Sequence, residues 1–373
     1  MMIPVFEPEI LPEDIQAVQA ALARGEISGS FGKALDEFEK EFASYCGCRH
    51  GVATTSGTTA LELASAAAGF GPGDEVLVSA CTNIASALGI VHRGAIPVPV
   101  DSEAKTWNLD LGLLEKLITP RTKGVVAVHL FGHPVDMDRL MEIARRHRLT
   151  VIEDGAEAHG AKVRGRVVGS FGQMSCYSFY ANKIITTGEG GMVVTNDDAL
   201  AEKLRLWRNL GFTQPRFRHE VAAYNFRMTS YQAALGHSQL RRIGPTLEKK
   251  RRIAGWYSQR LAGLPGIGLP VEEPWAWHVY WMYALTIGPE TGTTRDALAA
   301  RLRKEGVDTR TFFCPMNAQP CFQELPGFRP PPCPVADRLW QEGLYLPSSH
   351  FLKEADVDRV CSVFRGILSA SKP

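Results

Sequence analysis

The sequence predicts an α/β fold with a mainly parallel sheet of seven strands, followed by a smaller C-terminal α+β region. In the first half of the chain, short β-branched runs alternate with helical patterns. Several of these runs are almost uninterrupted apolar segments, which is typical of strands covered by helices on both faces. The connections are long enough for the helical crossovers that parallel strands need. Such sheets bind ligands beyond the carboxyl ends of their strands.

The individual elements follow from local patterns and turn signals. The seven predicted strands are 50–54, 75–79, 96–101, 125–129, 150–153, 174–178 and 192–197. The predicted helices between them include 58–68, 84–93, 111–118 and 137–147. Glycine-rich stretches separate several of these segments, as expected for turns between strands and helices.

The pattern changes after residue 245, which suggests a second unit. A long helix with a basic face is predicted at 247–264, a strand at 280–287, and helices at 294–305 and 354–368. A chain of 373 residues is also more than twice the usual ~150-residue domain. We expect a large domain at 21–245, a small C-terminal domain at 246–373 and an N-terminal segment, 1–20, that joins the small domain. The Pro-rich stretch 319–334 is predicted to be an ordered surface loop.

Composition excludes several classes of protein. Lys and Arg total 41 and Asp and Glu total 40, so a dedicated nucleic-acid or anionic-membrane binder is not expected. No apolar run reaches the length of a membrane span, and the acidic N-terminus does not resemble a signal peptide. We therefore expect a cytoplasmic protein with no membrane partner. The basic run KKRR, 249–252, falls on a helix and is expected to be a solvated face.

The eight cysteines are too sparse for a disulfide scaffold, and none forms a CxxC pair. We expect free thiols and no bound metal.

The segment TTSGTTALEL resembles a strand that turns on Gly57 and opens a helix. The unpaired N–H groups and positive dipole end of such a helix can hold a phosphate. Ser56 and Thr58 could add hydroxyl donors. The alternative is simple helix capping, because Thr59 and Glu62 have the spacing of a capping box.

Asp154 ends a hydrophobic strand, where a carboxylate needs a partner. A protonated heterocyclic nitrogen would be one, and Gly155 and Ala156 leave room for a flat ring. The alternative is an aspartate that caps the following turn. His159 lies five residues later and either faces a substrate or packs in the core.

Lys183 follows a predicted strand and precedes a Gly-rich loop. A lysine in a partly apolar pocket has a lowered pKa and can react covalently with a carbonyl group, whereas a lone lysine is usually a solvated charge. Ser178, at the strand end, could donate to a phosphate. Asn225 precedes an amphipathic helix and could supply polar groups to a site. The aromatic stretch 275–283 either packs in the core or contacts substrate.

Together these segments carry a family resemblance. SGTTALEL, EDGAEAHGA, SFYANKIITTGEGGMVVTND and YNFRMTSYQAALG resemble segments of the DegT/DnrJ/EryC1/StrS sugar aminotransferases. These are pyridoxal-phosphate (PLP) enzymes of fold type I, and the similarity runs over nearly the whole chain.

The resemblance implies roles for residues around the cofactor ring. Lys183 would hold PLP covalently and later carry the proton that is moved during amino transfer. Asp154 would pair with the ring nitrogen and keep it protonated. Ala156 would pack on one ring face, and Glu157 would form a hydrogen bond near the 3-hydroxyl group.

The resemblance also implies a shared phosphate site. Gly57, Thr58 and Ser178, with Ser56 beside them, would hold the cofactor phosphate, and Asn225 would reach it from a second subunit. The expected assembly is therefore a homodimer with shared active sites.

Two positions depart from the family pattern. Asn83 stands where many members have an aromatic residue that stacks on the cofactor. Asn317 stands where the family often has a histidine, so a neutral amide would contact the substrate sugar.

The reaction implied is transfer of the amino group of L-glutamate to a 4-keto-6-deoxy nucleotide sugar such as GDP-4-keto-6-deoxymannose. Three alternatives remain open from the sequence. The acceptor could be a 3-keto nucleotide sugar or a keto-cyclitol, the enzyme could be a PLP-dependent sugar dehydratase, or the chain could be a non-catalytic regulatory member.

Overall fold

The computed structural model describes residues 2–30, 32–215 and 217–370. Its strands are β1 (His50–Thr54), β2 (Glu75–Ser79), β3 (Ile96–Val100), β4 (Thr122–Val128), β5 (Thr150–Asp154), β6 (Lys162–Val163), β7 (Arg166–Val167), β8 (Met174–Ser178), β9 (Gly191–Thr195), β10 (Ile267–Gly268), β11 (Ala276–Trp277), β12 (Tyr283–Ile287), β13 (Arg310–Thr311) and β14 (Gly343–Leu346). Its α-helices are α1 (Pro12–Ala23), α2 (Ala34–Tyr45), α3 (Gly57–Ala68), α4 (Ala85–Val91), α5 (Leu111–Lys116), α6 (Met137–His147), α7 (Asp198–Arg208), α8 (Ser230–Leu240), α9 (Ile243–Leu261), α10 (Arg295–Lys304), α11 (Pro320–Gln323), α12 (Pro334–Glu342) and α13 (Glu354–Ser369).

The predicted seven-stranded sheet is confirmed. Its strand order is β1-β9-β8-β5-β4-β2-β3. The strands from β8 to β3 pair in parallel, and β9 runs antiparallel to both β1 and β8. The carboxyl ends of β4, β5 and β8 therefore meet at one edge, as the sequence predicted for a ligand site.

Both faces of this sheet are buried. Because side chains alternate across a strand, Val125 and Val151 join one apolar cluster, while Val126 and Ile152 join another on the opposite face. This double covering explains the nearly continuous apolar runs in the sequence.

A second, four-stranded sheet has the order β10-β12-β14-β13. Its apolar face packs with α9, α10 and α13 in a separate cluster, which confirms the predicted C-terminal α+β region. Helix α9 begins four residues earlier than predicted. The first turn can include Pro245, because its missing N–H would have no partner within the helix there. The predicted domain boundary at residue 245 falls inside this helix, and the division of the chain stays a prediction.

The N-terminal segment touches two parts of the molecule. Ile3 bridges to Val307, and the carbonyl of Val5 accepts a hydrogen bond from the N–H of Ser348 at 2.8 Å. Helix α1, in contrast, packs on α8, and its buried Asp14 pairs with Arg242 at 2.6 Å.

Two surface predictions need correction. The stretch 319–334 contains the short helix α11 and buries Phe322 and Phe328, which tie it to the core. The run 249–252 is not wholly solvated, because Lys250 is only 2% exposed.

All eight cysteines are free thiols. Within the described part of the chain, no set of three or more His, Cys, Asp or Glu side chains is grouped as a metal site would require. No described helix combines the length and the apolar character needed to cross a bilayer.

Candidate active site

A cleft of about 300 Å³ opens at the carboxyl ends of β4, β5 and β8. Its size suits a small organic ligand. Eight of the residues predicted from the sequence line it: Ser56, Gly57, Thr58, Asp154, Ala156, Glu157, Ser178 and Lys183. The cleft therefore gathers segments that are more than a hundred residues apart in the chain.

One end of the cleft is the first turn of α3. Ser56 caps this helix, since its hydroxyl accepts the N–H of Thr59 at 3.1 Å while the Thr59 hydroxyl accepts the N–H of Ser56 at 3.0 Å. The capping box is thus Ser56 with Thr59, rather than Thr59 with Glu62. The Ser56 hydroxyl and the Thr59 N–H are occupied by the cap, and the N–H groups of Gly57 and Thr58 remain for an anion.

Gly57 is required where α3 meets β8. A Cβ at this position would lie 2.6 Å from the Cβ of Ser178 and 3.1 Å from its Oγ. Ser178 Oγ accepts the N–H of Tyr180 at 3.3 Å, so its hydroxyl hydrogen is available to an anion at the helix start. The backbone and the hydroxyl thus form a cradle of phosphate size.

Asp154 is the last residue of β5 and is 5% exposed. Its Oδ2 accepts a hydrogen bond from Ser86 Oγ at 2.7 Å, and its Oδ1 accepts the N–H of Ala156 at 3.1 Å. Ser86 in turn shares a 2.9 Å hydrogen bond with the hydroxyl of Thr82. The carboxylate therefore caps its own turn, as the alternative interpretation held, and is also oriented toward the cleft.

Gly155 is needed for packing inside the protein, not to leave room for the ring of a ligand as the sequence suggested. A Cβ there would lie 2.7 Å from the ring of Tyr177, so the glycine makes room for this tyrosine.

Lys183 follows β8 by five residues; the residue is half-buried and its amine lies in the cleft. Burial lowers the pKa of this amine, and the carboxylates of Glu157 and Asp154 oppose that effect. The Nζ atom lies 4.1 Å from the centroid of the Trp281 ring. The solvated-charge alternative is therefore wrong for Lys183.

Glu157 is 5% exposed, and its Oε2 accepts the N–H of Phe131 at 2.7 Å. Burial raises the pKa of Glu157 to about 7, while Lys183 lowers it and Asp154 raises it further. The carboxyl group can thus hold or release a proton near neutral pH.

This pKa predicts a pH-dependent stability. A folded pKa raised above the usual 4.5 gives stability that is fully present below about pH 4.5 and is lost as the pH rises through about 7. We expect Glu157→Gln to leave the free energy of unfolding of the apoprotein nearly unchanged near pH 5. Near pH 8 the variant should be more stable than the parent by about 1–3 kcal/mol. Urea unfolding at both pH values measures this, and an equal difference at the two would contradict it.

His159 does not face the cleft. It is 0% exposed, and its ring packs against Phe42, Tyr177 and Phe179. Burial and the nearby Lys183 lower its pKa to about 3, so the ring is neutral. The predicted substrate contact is therefore replaced by the alternative of a packed core histidine.

Asn317 and Asn225 also lie outside the lining of this cleft. Asn317 lies in the helical turn Met316–Ala318, and its amide donates to Asp337 Oδ1 of helix α12 at 3.1 Å. Asn225 is exposed, forms a β-bridge with Asn209 and is not among the residues that line the cleft of its own chain.

Asn83 lines the cleft, but its Oδ1 accepts the N–H of Ala85 at 3.0 Å and caps the start of α4. Aromatic surface comes from elsewhere, because Trp281, Phe313 and Tyr345 line the same cleft. Trp281 belongs to the stretch 275–283, so that segment both packs in the core and reaches the site. Phe313, Tyr345 and Ser86 were not singled out from the sequence.

The residues present fit PLP. A buried carboxylate, an enclosed amine and a helix N-terminus with a hydroxyl donor meet in one cleft, and these are the groups that a pyridinium nitrogen, an aldehyde and a phosphate need. In addition, Asn182 Oδ1 on the cleft wall is buried and has no hydrogen-bond partner among the described residues. An unsatisfied buried acceptor of this kind indicates that a ligand donor belongs there.

Comparison with known proteins agrees with this geometry. The model of the DegT/DnrJ/EryC1/StrS aminotransferase family matches residues 8–365. GDP-perosamine synthase from Caulobacter vibrioides is 46% identical over 344 residues, 91% of each chain. The dTDP-3-amino-3,4,6-trideoxy-alpha-D-glucose transaminase of Streptomyces venezuelae is 40% identical, over 97% of this chain and 95% of its own. The structure of Spr1654 from Streptococcus pneumoniae in its PLP form has a TM-score of 0.92 and 27% identity, with full coverage of both chains.

These similarities establish an enzyme and its cofactor. The chain belongs to the DegT/DnrJ/EryC1/StrS aminotransferase family, and it is a PLP-dependent aminotransferase.

Proposed function

We propose that this enzyme transfers the amino group of L-glutamate to the keto group of a GDP-linked 4-keto-6-deoxy sugar, forming the perosamine type of product. Amino transfer is supported mainly by one observation: Lys183, Asp154 and the N-terminus of α3 line the same cleft. The 46% identity to GDP-perosamine synthase over 91% of the chain supports the acceptor.

Each part of the cofactor has a matching group in the cleft. Lys183 would hold PLP through its amine, Asp154 would face the ring nitrogen, and the first turn of α3 with Ser178 would hold the phosphate. When bound, PLP supplies an electron sink that stabilises negative charge on the carbon beside the transferred nitrogen.

The protein's own residues would place and transfer protons and would set the polarity of the cleft. Asp154, oriented by the hydrogen bond from Ser86, would keep a proton on the ring nitrogen. The Lys183 amine, with its pKa lowered by burial, moves a proton at the reacting carbon. Trp281, Phe313 and Tyr345 line the cleft with aromatic surface, and the low polarity of that wall strengthens these charge interactions.

Two further contacts belong to this proposal. Ala156 follows Asp154 at the cleft wall and would pack against one ring face, while Glu157 would hydrogen-bond near the 3-hydroxyl group. Its pKa near 7 allows Glu157 to accept or donate there.

We also propose a homodimer in which Asn225 completes the phosphate site of the other subunit. Asn225 is exposed and outside its own cleft, and exposed apolar side chains such as Ile15, Leu22 and Tyr231 are available on α1 and α8 for an interface. Sedimentation equilibrium tests the assembly, and mixing Asn225→Ala with Lys183→Ala subunits tests the sharing. If Asn225 acts across the interface, each hybrid dimer keeps one intact site. If Asn225 acts within its own subunit, a hybrid dimer keeps no intact site.

The acceptor is tested with a panel of ketones under identical conditions. Purified enzyme with PLP and L-glutamate is offered GDP-4-keto-6-deoxymannose, a dTDP-linked 3-keto sugar and a keto-cyclitol, and the products are identified by mass spectrometry. We expect amination of the GDP sugar with stoichiometric 2-oxoglutarate. Exclusive amination of either other ketone would overturn the proposed acceptor while leaving the reaction class intact.

The second candidate acceptor is the 3-keto nucleotide sugar. It is favoured by the 40% identity to the 3-amino-sugar transaminase of Streptomyces venezuelae. A dehydratase is disfavoured, because the enclosed amine of Lys183 is the group that amino transfer needs.

A further inference from the structure

Lys250 is a buried lysine that the mechanism above does not use. It lies in α9 with 2% exposure, while its neighbour Lys249 is partly exposed and pairs with Glu9 at 3.5 Å. Among the residues that the structure describes, no carboxylate forms an ion pair with Lys250. Burial lowers the pKa of its amine to about 7. A lysine buried without a counter-ion is costly and calls for a specific role.

The amine of Lys250 joins two backbone segments from outside its own helix. It donates to the carbonyl of Trp281 at 2.7 Å and to the carbonyl of Ser348. Ser348 is itself fixed, since its hydroxyl accepts the N–H of Tyr283 at 2.8 Å. The ring of Phe6, from the N-terminal segment, lies 5.9 Å from the amine. Lys250 thus ties α9 to the chain just before β12 and to the chain after β14.

Trp281 connects Lys250 to the active site. Its indole N–H donates to the carbonyl of Asn182 at 2.7 Å, and its ring faces the Lys183 amine at 4.1 Å. The face of an indole ring attracts a cationic amine. The position of Trp281 therefore fixes the residue before Lys183 and also stabilises the charged form of Lys183.

We propose that Lys250 is a positioning residue that acts on Lys183 through Trp281. A methionine of similar length would fill the same space without burying a charge. The two hydrogen bonds to the carbonyls of Trp281 and Ser348 are what the lysine adds. Lys250 is not among the residues that line the cleft, so its effect on the reacting amine passes through the indole ring.

The test uses the apoprotein and so requires neither PLP nor a sugar. The rate at which an amine-reactive reagent, trinitrobenzenesulfonate, modifies Lys183 is followed by peptide mass spectrometry as a function of pH. In Lys250→Met we expect Trp281 to shift and the stabilisation of charged Lys183 to weaken. The midpoint for Lys183 should then fall by about one pH unit, which is roughly a tenfold faster modification at a fixed pH below the midpoint. Lys249→Met, on the partly exposed neighbour that pairs with Glu9, is the matched control and should leave the midpoint unchanged.

A general loosening of the fold would act in the opposite direction, because an amine exposed to water returns toward the ordinary lysine pKa. An unchanged or raised midpoint in Lys250→Met therefore overturns the proposal. Trp281→Phe, which keeps a ring but loses the N–H donor, provides a second variant. If Lys250 acts through Trp281, the double variant should show no larger shift than the larger single shift, whereas additive shifts would contradict the link. The proposal rests on Lys183 as the reacting lysine, and its test is independent of the sugar acceptor.

Discussion

Replacing Lys183 with alanine is expected to lower kcat for amino transfer by about 10⁴-fold. Lys183 is the amine enclosed in the cleft beside Asp154 and Glu157, and it both holds the cofactor and moves the proton at the reacting carbon. Rapid mixing of enzyme, PLP and L-glutamate measures the first half of the reaction without the sugar. Borohydride reduction followed by peptide mass spectrometry should place the cofactor on the Lys183 peptide of the parent protein.

The matched control is Lys105→Ala. Lys105 is an exposed lysine that pairs with Glu273 outside the cleft, so its loss should leave kcat within about twofold. Reduced cofactor on another lysine peptide, or kcat of Lys183→Ala within tenfold of the parent, would contradict the role of Lys183.

Much of the cofactor end of the site could be predicted from the sequence. The physical reason is that the carboxyl ends of parallel strands meet at one edge of a sheet. Asp154 ends β5 and Ser178 ends β8, and the α3 start at Gly57 follows β1 directly, so local patterns alone identified residues that lie together. The hydrophobic runs that predicted these strands were strong because the sheet is buried on both faces.

The sequence could not predict the residues that reach the site from distant segments. Phe313 and Tyr345, which lies in β14, reach the cleft only through tertiary packing, and the aromatic stretch that contains Trp281 was singled out without a choice between core and site. Ser86 has no distinguishing local signal, although it follows a strand and orients Asp154. His159 was ambiguous for the same reason, since a histidine after a functional motif can pack or react.

Lys250 shows a different limit of sequence reasoning. A run of four basic residues on a helix is usually solvated, and charge patterning gives no sign that one of them faces inward. Burial of Lys250 is decided by Phe6, by the chain before β12 and by Ser348, which lie far apart in the sequence. Helical periodicity does place Lys250 on the buried face, because it lies three residues after Leu247 and three before Ile253, but the usual preference of lysine for water argues against that placement.

Asp154→Asn is expected to lower kcat by roughly 10³-fold and to weaken PLP binding. The amide has nearly the same shape, but it carries no charge to keep the ring nitrogen protonated. The hydrogen bonds from Ser86 and from the Ala156 N–H would then meet a neutral group. Stopped-flow kinetics with L-glutamate give kcat, and equilibrium titration of the apoprotein with PLP gives the dissociation constant. Asp138→Asn, at an exposed aspartate of α6, is the control and should change neither quantity.

A double-mutant cycle with Ser86→Ala tests how Asp154 is held. Alone, this variant removes one hydrogen bond to a charged group, worth about 1.5–3 kcal/mol, so kcat should fall by about 10–100-fold. Since Ser86 acts through the charge on Asp154, adding Ser86→Ala to Asp154→Asn should cost little more. Equal losses from Ser86→Ala in both backgrounds would mean that Ser86 does not act through Asp154. A kcat for Asp154→Asn close to that of the parent would show that Asp154 takes no part in the chemistry of the site.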